Sequence, residues 1–417
     1  MYIELVMDLL LFILLVLILF IRISWLYVFK TSGNVGYILP LIFECIFVYP
    51  YFIVALLGLE WSFFGLFTMY ILSLSFQVGF LLNLNETSNR ICITFKREFT
   101  FVLFFMLGIV YIGILSNHAS TVFKISNVSQ VLVLANQNAI SRYDSTLNIS
   151  IVYKISTIFS FLCALLLGTF TAVKKNTLSK LLTVAFFSIL FLDSILMAAR
   201  AGLLLQLSAF LSSYLLAKYV TNEKGFYRVS PSKVFFLIGF FSVIYAFFVI
   251  VQVARGGKDD FDIFSISSHV LTWFVGYLSA FDIWIKDYYD FDHSFGLRTF
   301  SGLADALNIS QRSGGVYAPV EVKDGRVTNV YTAYRGLIED FSLPLSIVIM
   351  AILGVIISKG INELILTRKS FYYSIVVMVI YFILWSFVIN PYIYNTVLLA
   401  MVMFFIFNKK YVVFKKI

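Results

Sequence analysis

Four arginines, Arg200, Arg255, Arg298 and Arg335, stand where an otherwise apolar chain turns polar. A guanidinium keeps its charge at any working pH and forks onto an oxyanion with two parallel N–H groups. Near three of them lie Asp290-Phe-Asp292-His293, Tyr331-Thr-Ala-Tyr334 and Glu339-Asp340, whose carboxylates and imidazole take up protons. If the stretch from Asn329 to Phe341 is helical, Tyr331, Arg335 and Glu339 stack on one face at i, i+4 and i+8. Arg200 sits in Ala198-Ala199-Arg200-Ala201-Gly202, a helix break with no real loop, seven residues after Asp193. An acid and an arginine on one stripe suggest an outward-opening polar cavity, with a structural ion pair as the alternative. Arg255-Gly-Gly-Lys258 emerges as a basic pair on flexible backbone, a shape that suits an anion. The plainer alternatives are arginines that snorkel to headgroups and a Glu339 that only braces Arg335. Asp260-Phe-Asp262 and Asp290-Phe-Asp292-His293 could hold a divalent metal, as hard carboxylates do, but loop acids more often stay solvated, and no metal ligand is assigned.

These groups need a scaffold, and composition names it. The 417 residues are 61% hydrophobic and 13% charged, with mean hydropathy +0.94, where a soluble chain carries about a quarter charged. Apolar runs near twenty residues recur without strand-like alternation. The expected fold is an all-α polytopic integral membrane protein of about eleven transmembrane helices, with one large extracytoplasmic loop between the eighth and ninth. The spans are placed at 3–21, 36–58, 62–83, 99–116, 151–173, 181–199, 201–218, 234–254, 341–358, 371–389 and 391–408. Three regions follow: helices one to eight over 1–254, the polar loop over 255–340, and helices nine to eleven with a basic tail over 341–417.

Orientation comes from the connectors. One set holds Lys30, Arg90, Lys96, Arg97, Lys174, Lys175, Lys180, Lys224, Arg228, Lys359, Arg368 and Lys369, and the tail with Lys409 and Lys410. The other set holds most of the acids. Basic residues stay cytoplasmic, so the tail is expected inside and the N-terminus outside. The net charge of +9 then reflects topology and anionic lipid, and no nucleic-acid partner is inferred. Segment 268–285 reads as an interfacial or re-entrant helix, with Val270, Phe274, Leu278, Phe281 and Ile285 on one face and Trp273 and Trp284 at headgroup level; a twelfth span is the competitor. In connector 117–150, Val128, Val131, Leu132 and Leu134 suggest an amphipathic helix on the membrane, carrying His118. Glu44, inside the second span, is read as bonded to a neighbouring helix.

Three places resemble the O-antigen polymerase family of Wzy-type oligosaccharide repeat-unit polymerases. They are Ala199-Arg200-Ala-Gly; Gly276-Tyr-Leu-Ser-Ala-Phe281-Asp followed by Phe295-Gly; and Asn329-Val-Tyr-Thr-Ala-Tyr-Arg335 through Glu339-Asp340-Phe341. The sequence departs from the pattern at Ser342, where glycine is expected after Asp-Phe. The resemblance implies a GT-C-type membrane glycosyltransferase of the bacterial inner membrane. It would join undecaprenyl-diphosphate-linked repeats into O-antigen or capsular polysaccharide at the periplasmic face, without metal, nucleotide sugar or other cofactor. Its partners would be that lipid-linked oligosaccharide, membrane lipid and a chain-length-regulating co-polymerase. Arg200, Arg255, Arg335 and then Arg298 would clamp the diphosphate leaving group, and Tyr331 and Tyr334 would orient sugar or phosphate. Glu339, Asp340 and His293 are the candidate bases. An O-antigen ligase, or a flippase or transporter, is the alternative function.

Overall fold

In a computed structural model of the chain, the described residues are 6, 9–18, 20–21, 38–82, 91–122, 128–143, 149–221, 231–256, 263–289, 292–311 and 317–416. Lys30, Arg90, Lys224, Arg228, Lys258, Asp260, Asp262 and Asp290 lie outside them. The helices are α1 (Leu9–Ile18), α2 (Ile38–Phe47), α3 (Tyr51–Leu56), α4 (Phe63–Leu82), α5 (Glu98–Val122), α6 (Val128–Tyr143), α7 (Ile151–Val173) and α8 (Thr177–Leu196). They continue with α9 (Arg200–Thr221), α10 (Pro231–Gly256), α11 (Ile263–Lys286), α12 (Ser301–Ala306), α13 (Ala333–Thr367), α14 (Ser370–Trp385) and α15 (Asn395–Tyr411). Two of them begin on side-chain caps: Ser150 accepts from the Tyr153 amide and Asn176 from the Ser179 amide.

The protein is therefore mostly helical and membrane-embedded in character. Among the described residues six helices are long and apolar enough to cross a membrane: α4, α5 (over Glu98–His118), α7, α8, α9 and α13. Four shorter apolar helices accompany them. The run expected over 36–58 is broken into α2 and α3 by a turn at Val48-Tyr49-Pro50. Segment 268–285 is helical within α11, and Val270, Leu278, Phe281 and Ile285 of its expected face are buried.

Two short sheets interrupt the helical pattern. Strands β1 (Ile91–Phe95) and β4 (Val412–Lys416) pair antiparallel with Ile93 opposite Phe414. This joins the basic 84–98 connector to the basic tail, two segments the charge pattern assigns to one side. Strands β2 (Val320–Lys323) and β3 (Arg326–Thr328) form a hairpin across Asp324-Gly325, both at positive φ as a tight hairpin turn requires.

The chain divides into two compact units. The first comprises residues 1–88, 271–366 and 382–395; the second comprises 89–270, 367–381 and 396–417. In the first, Phe43 stacks on Phe76, and Phe47 packs on Tyr334 with centroids 4.8 Å apart. Glu44 is buried there and accepts from Gln77 Nε2 of α4 at 2.9 Å, the neighbouring-helix bond its position calls for. Helices α4 and α13 cross where glycines remove the side chain. A Cβ on Gly79 would stand 1.9 Å from the Ala351 carbonyl oxygen, and one on Gly354 would stand 2.1 Å from that of Phe76. In lipid, where burying apolar surface drives little, such backbone approach supplies the packing.

In the second unit α7 lies against α5 and α9, and Tyr373 ties the bundle together. Its hydroxyl lies 2.8 Å from Thr169 Oγ1 and donates to the Ser213 carbonyl. Helix α6 forms within connector 117–150, and Leu132 of its expected face packs, partly buried, against that helix's buried alanines. Ala135 and Ala139 pack with Ala198 and Ala254, and Asn136 and Asn138 donate to the carbonyls of Arg255 and Leu196. His118 is not on that connector helix; it belongs to α5 and is buried. Nor do Asp193 and Arg200 share a stripe. Helix α8 ends at Leu196, Ala198 turns through φ 46°, and Arg200 opens α9.

Candidate functional site

The closing piece of the polar region becomes the first turns of α13, beginning at Ala333. On them Arg335 Nε reaches Glu339 Oε1 at 2.9 Å, the i, i+4 pair the spacing predicts. Tyr331 precedes the helix, yet its ring still covers the arginine, with Arg335 Cζ 4.2 Å from the centroid. Two further rings complete a cage. Tyr317 stands 3.9 Å from the same carbon and Trp284 of α11 stands 5.2 Å from it. Rings on the faces of a guanidinium hold its charge by cation–π attraction and leave its N–H edge to bind anions.

A second arginine meets this pair. Arg298 Nε lies 3.6 Å from Glu339 Oε2, so one carboxylate spans two guanidinium groups. Tyr317 also approaches that oxygen, its hydroxyl 3.5 Å away. Burial first, and the negative Glu339 beside it second, push the Tyr317 hydroxyl above its ordinary range. It therefore stays protonated and acts as a donor. A cavity of about 480 Å3 opens beside Arg335, lined also by Trp284, Asp287, Tyr288, Tyr289 and Tyr331.

Asp340 lies behind this surface. It is fully buried, and its carboxylate accepts from the Ser294 hydroxyl, from the Arg298 amide at 3.0 Å and from the Thr299 amide at 2.7 Å. The Ser294 and Phe295 amides bond in turn to the carbonyls of Glu339 and Asp340. Asp340 thus folds turn 294–299 onto α13, and the fold of that turn delivers Arg298 to Glu339. His293 leads into the same turn, and its Nδ1 is buried with no partner among the described residues. Tyr334 is not part of the cluster. One position along the helix from Arg335, it turns into the core against Phe43 and Phe47.

Arg200 and Arg255 belong to the second unit, where the charges of both reach His269. Arg255 Nε donates to the Ala198 carbonyl at 3.0 Å, at the α8–α9 break. Arg200 is buried with its Cζ 5.3 Å from the Phe248 ring. Burial, and then the charges of these two arginines, push the His269 imidazole below its usual value.

Three contributors escaped the sequence reading. Tyr317 sits in a Gly- and Pro-containing loop with no spacing relation to Arg335. Trp284 carried an interfacial signal, which conceals its role as a cage wall. Asp282, at the end of the Gly276–Asp282 motif, supports α11: it is fully buried, accepts from the Tyr51 hydroxyl at 2.6 Å and the Ser62 amide at 2.7 Å, and occupies the space left by Gly65. A Cβ on Gly65 would stand 1.6 Å from Asp282 Oδ1. Burial pushes this carboxyl up to about 7, against the opposing pull of its bonds to Tyr51 and Ser62 and the charge of Lys286.

Among the described residues no cluster of three or more His, Cys, Asp or Glu side chains has the form of a metal site. No protein-family model matches the chain, and no curated protein and no solved structure is significantly similar to it.

Proposed function

We propose that this chain is an integral-membrane glycosyltransferase that polymerises lipid-diphosphate-linked oligosaccharide repeats at the extracytoplasmic face. The observation that supports the reading most is Arg335, caged by Trp284, Tyr317 and Tyr331 and bridged through Glu339 to Arg298 beside an open cavity. Arginine fixed in a partly apolar wall suits an anion that gains charge during reaction, because desolvated donors stabilise developing charge most. The aromatic walls suit the sugar end of the same substrate.

In this mechanism an acceptor hydroxyl oxygen attacks the anomeric carbon of the donor. The bond from that carbon to the diphosphate oxygen breaks, and its electron pair leaves with the undecaprenyl diphosphate. Arg335 and Arg298 bind that diphosphate, and Arg200 and Arg255 are proposed as further phosphate-binding residues. Glu339 takes the acceptor proton, and His293 is the second candidate. Asp340 positions Arg298. The proposal includes eleven spans, a periplasmic N-terminus and polar region, an interfacial α11 and a cytoplasmic tail in a bacterial inner membrane. The strand pairing of connector 91–95 with residues 412–416 agrees with that sidedness.

Mass analysis of surface polysaccharide from a strain lacking the gene tests the function. Single repeats accumulating on lipid A core support a polymerase. Long lipid-linked chains that never reach the core favour a ligase, and loss of all surface repeat units favours a flippase or transporter.

A further inference from the structure

The unit that contains neither Arg335 nor Glu339 encloses a cavity of its own, about 220 Å3, formed by the adjoining ends of α5, α7, α8 and α9. At about 30 Å3 per molecule it has room for roughly seven waters. Polar and apolar side chains line it together.

Several of the polar groups offer acceptors. Gln206, only 7% exposed, donates from Nε2 to Ser160 Oγ at 2.8 Å, and its Oε1 has no partner among the described residues. A buried acceptor left unsatisfied is costly, so this oxygen calls for a donor from outside the protein. The hydroxyls beside it spend their hydrogens on backbone. Ser156 and Thr157 donate to the Tyr153 carbonyl, and Ser160 donates to that of Thr157. What they present to the cavity is lone pairs. Asp193 lies 2.9 Å from His118 Nε2 through Oδ1 and accepts from the Tyr153 hydroxyl at 2.9 Å through Oδ2. A carboxylate offers about four lone-pair positions, so each oxygen keeps one.

Phe161, Leu190 and Leu203 line the same cavity, each about one helical turn from Thr157, Asp193 and Gln206 respectively. A hard metal ion takes oxygens from all sides and would leave most of this volume to water. A ligand that carries both several O–H donors and C–H surface matches this mixed lining. We propose that this cavity binds a single sugar ring, whose hydroxyls donate to Gln206 Oε1 and Asp193 while its C–H surface packs on Phe161, Leu190 and Leu203. The inference rests on the second unit alone and does not require Arg335 to be catalytic.

The test is saturation-transfer NMR on the full chain in lipid nanodiscs, with methyl glycosides of common hexoses and N-acetylhexosamines as probes. At least one glycoside is expected to receive saturation at its ring protons. Gln206→Leu removes the unsatisfied acceptor and should weaken that binding about tenfold. Gly202→Leu provides an independent block, because a side chain there enters open space at the cavity wall. Failure of every glycoside to bind, or binding that survives both Gln206→Leu and Gly202→Leu, overturns the proposal. A signal abolished by Arg335→Ala but kept in those two variants places the sugar at the other cavity and also overturns it.

Discussion

Arg335 Cζ lies 3.9 Å from the centroid of the Tyr317 ring, although seventeen residues, a hairpin among them, separate the two in sequence. The contact turns a surface arginine into a fixed one. Covered by rings and tied to Glu339, it has lost the freedom that lets an ordinary interfacial arginine follow lipid headgroups.

Arg335→Lys keeps the charge and loses both the planar fork and the stacking on three rings. Polymer formation in membranes matched for protein level should fall nearly as far as in Arg335→Ala, about a hundredfold. Normal chain length in the lysine variant would remove Arg335 from the diphosphate site.

Glu339→Gln still accepts hydrogen bonds from Arg335 and Arg298 but no longer takes a proton. If Glu339 is the base, turnover of purified enzyme on lipid-linked repeats should drop at least about a hundredfold. Turnover within about threefold of wild type would make Glu339 a brace alone and pass the base role to His293.

Asp282 links stability to pH. Its carboxyl is raised to about 7 in the folded state, above its ordinary value of 3.8. Below about pH 4 it is protonated folded or unfolded, and its full stabilising contribution is present. As pH rises through about 7 the buried group ionises and that contribution is lost. The thermal midpoint in detergent should therefore fall between about pH 4 and about pH 7 and level off above that. Asp282→Asn should flatten the slope, and an unchanged slope would refute the assignment.

Ser342 holds φ 66° and ψ 164° at a kink inside α13, a region that glycine enters freely and other residues enter at a cost. It is also the position where the resemblance leads one to expect glycine. Ser342→Gly should stabilise the protein by about 1 kcal/mol or more, read as a raised thermal midpoint. A lowered midpoint would mean that the serine hydroxyl contributes more than the strain costs.

Orientation is open to a direct measurement. A reporter active only outside the cytoplasm should be active when fused at Asn308 and silent when fused after Lys410. Activity at the second position would reverse the sidedness and change the span count.

Hydropathy and charge were enough to read membrane helices from this chain, because both are local sums over about twenty residues. The boundaries of α7, Ile151–Val173, coincide with an apolar run that begins after a capping serine. The Arg335–Glu339 pair was legible for the same reason: one helical turn sets the distance between them. What surrounds that pair was not. Tyr317 and Trp284 reach Arg335 from a loop and another helix, and the bond from Asp340 to the 298–299 amides brings Arg298 to Glu339 across some forty residues. The same holds for Asp193. Its sequence neighbour Arg200 suggested a partner seven residues away, but the left-handed turn at Ala198 ends that helix. His118 and Tyr153, from two other helices, take the carboxylate instead. Periodicity specifies which face of a helix a residue occupies. Which side chains meet that face depends on how helices cross, and here the crossings are set by close contacts such as Gly79 on Ala351 and Gly65 on Asp282.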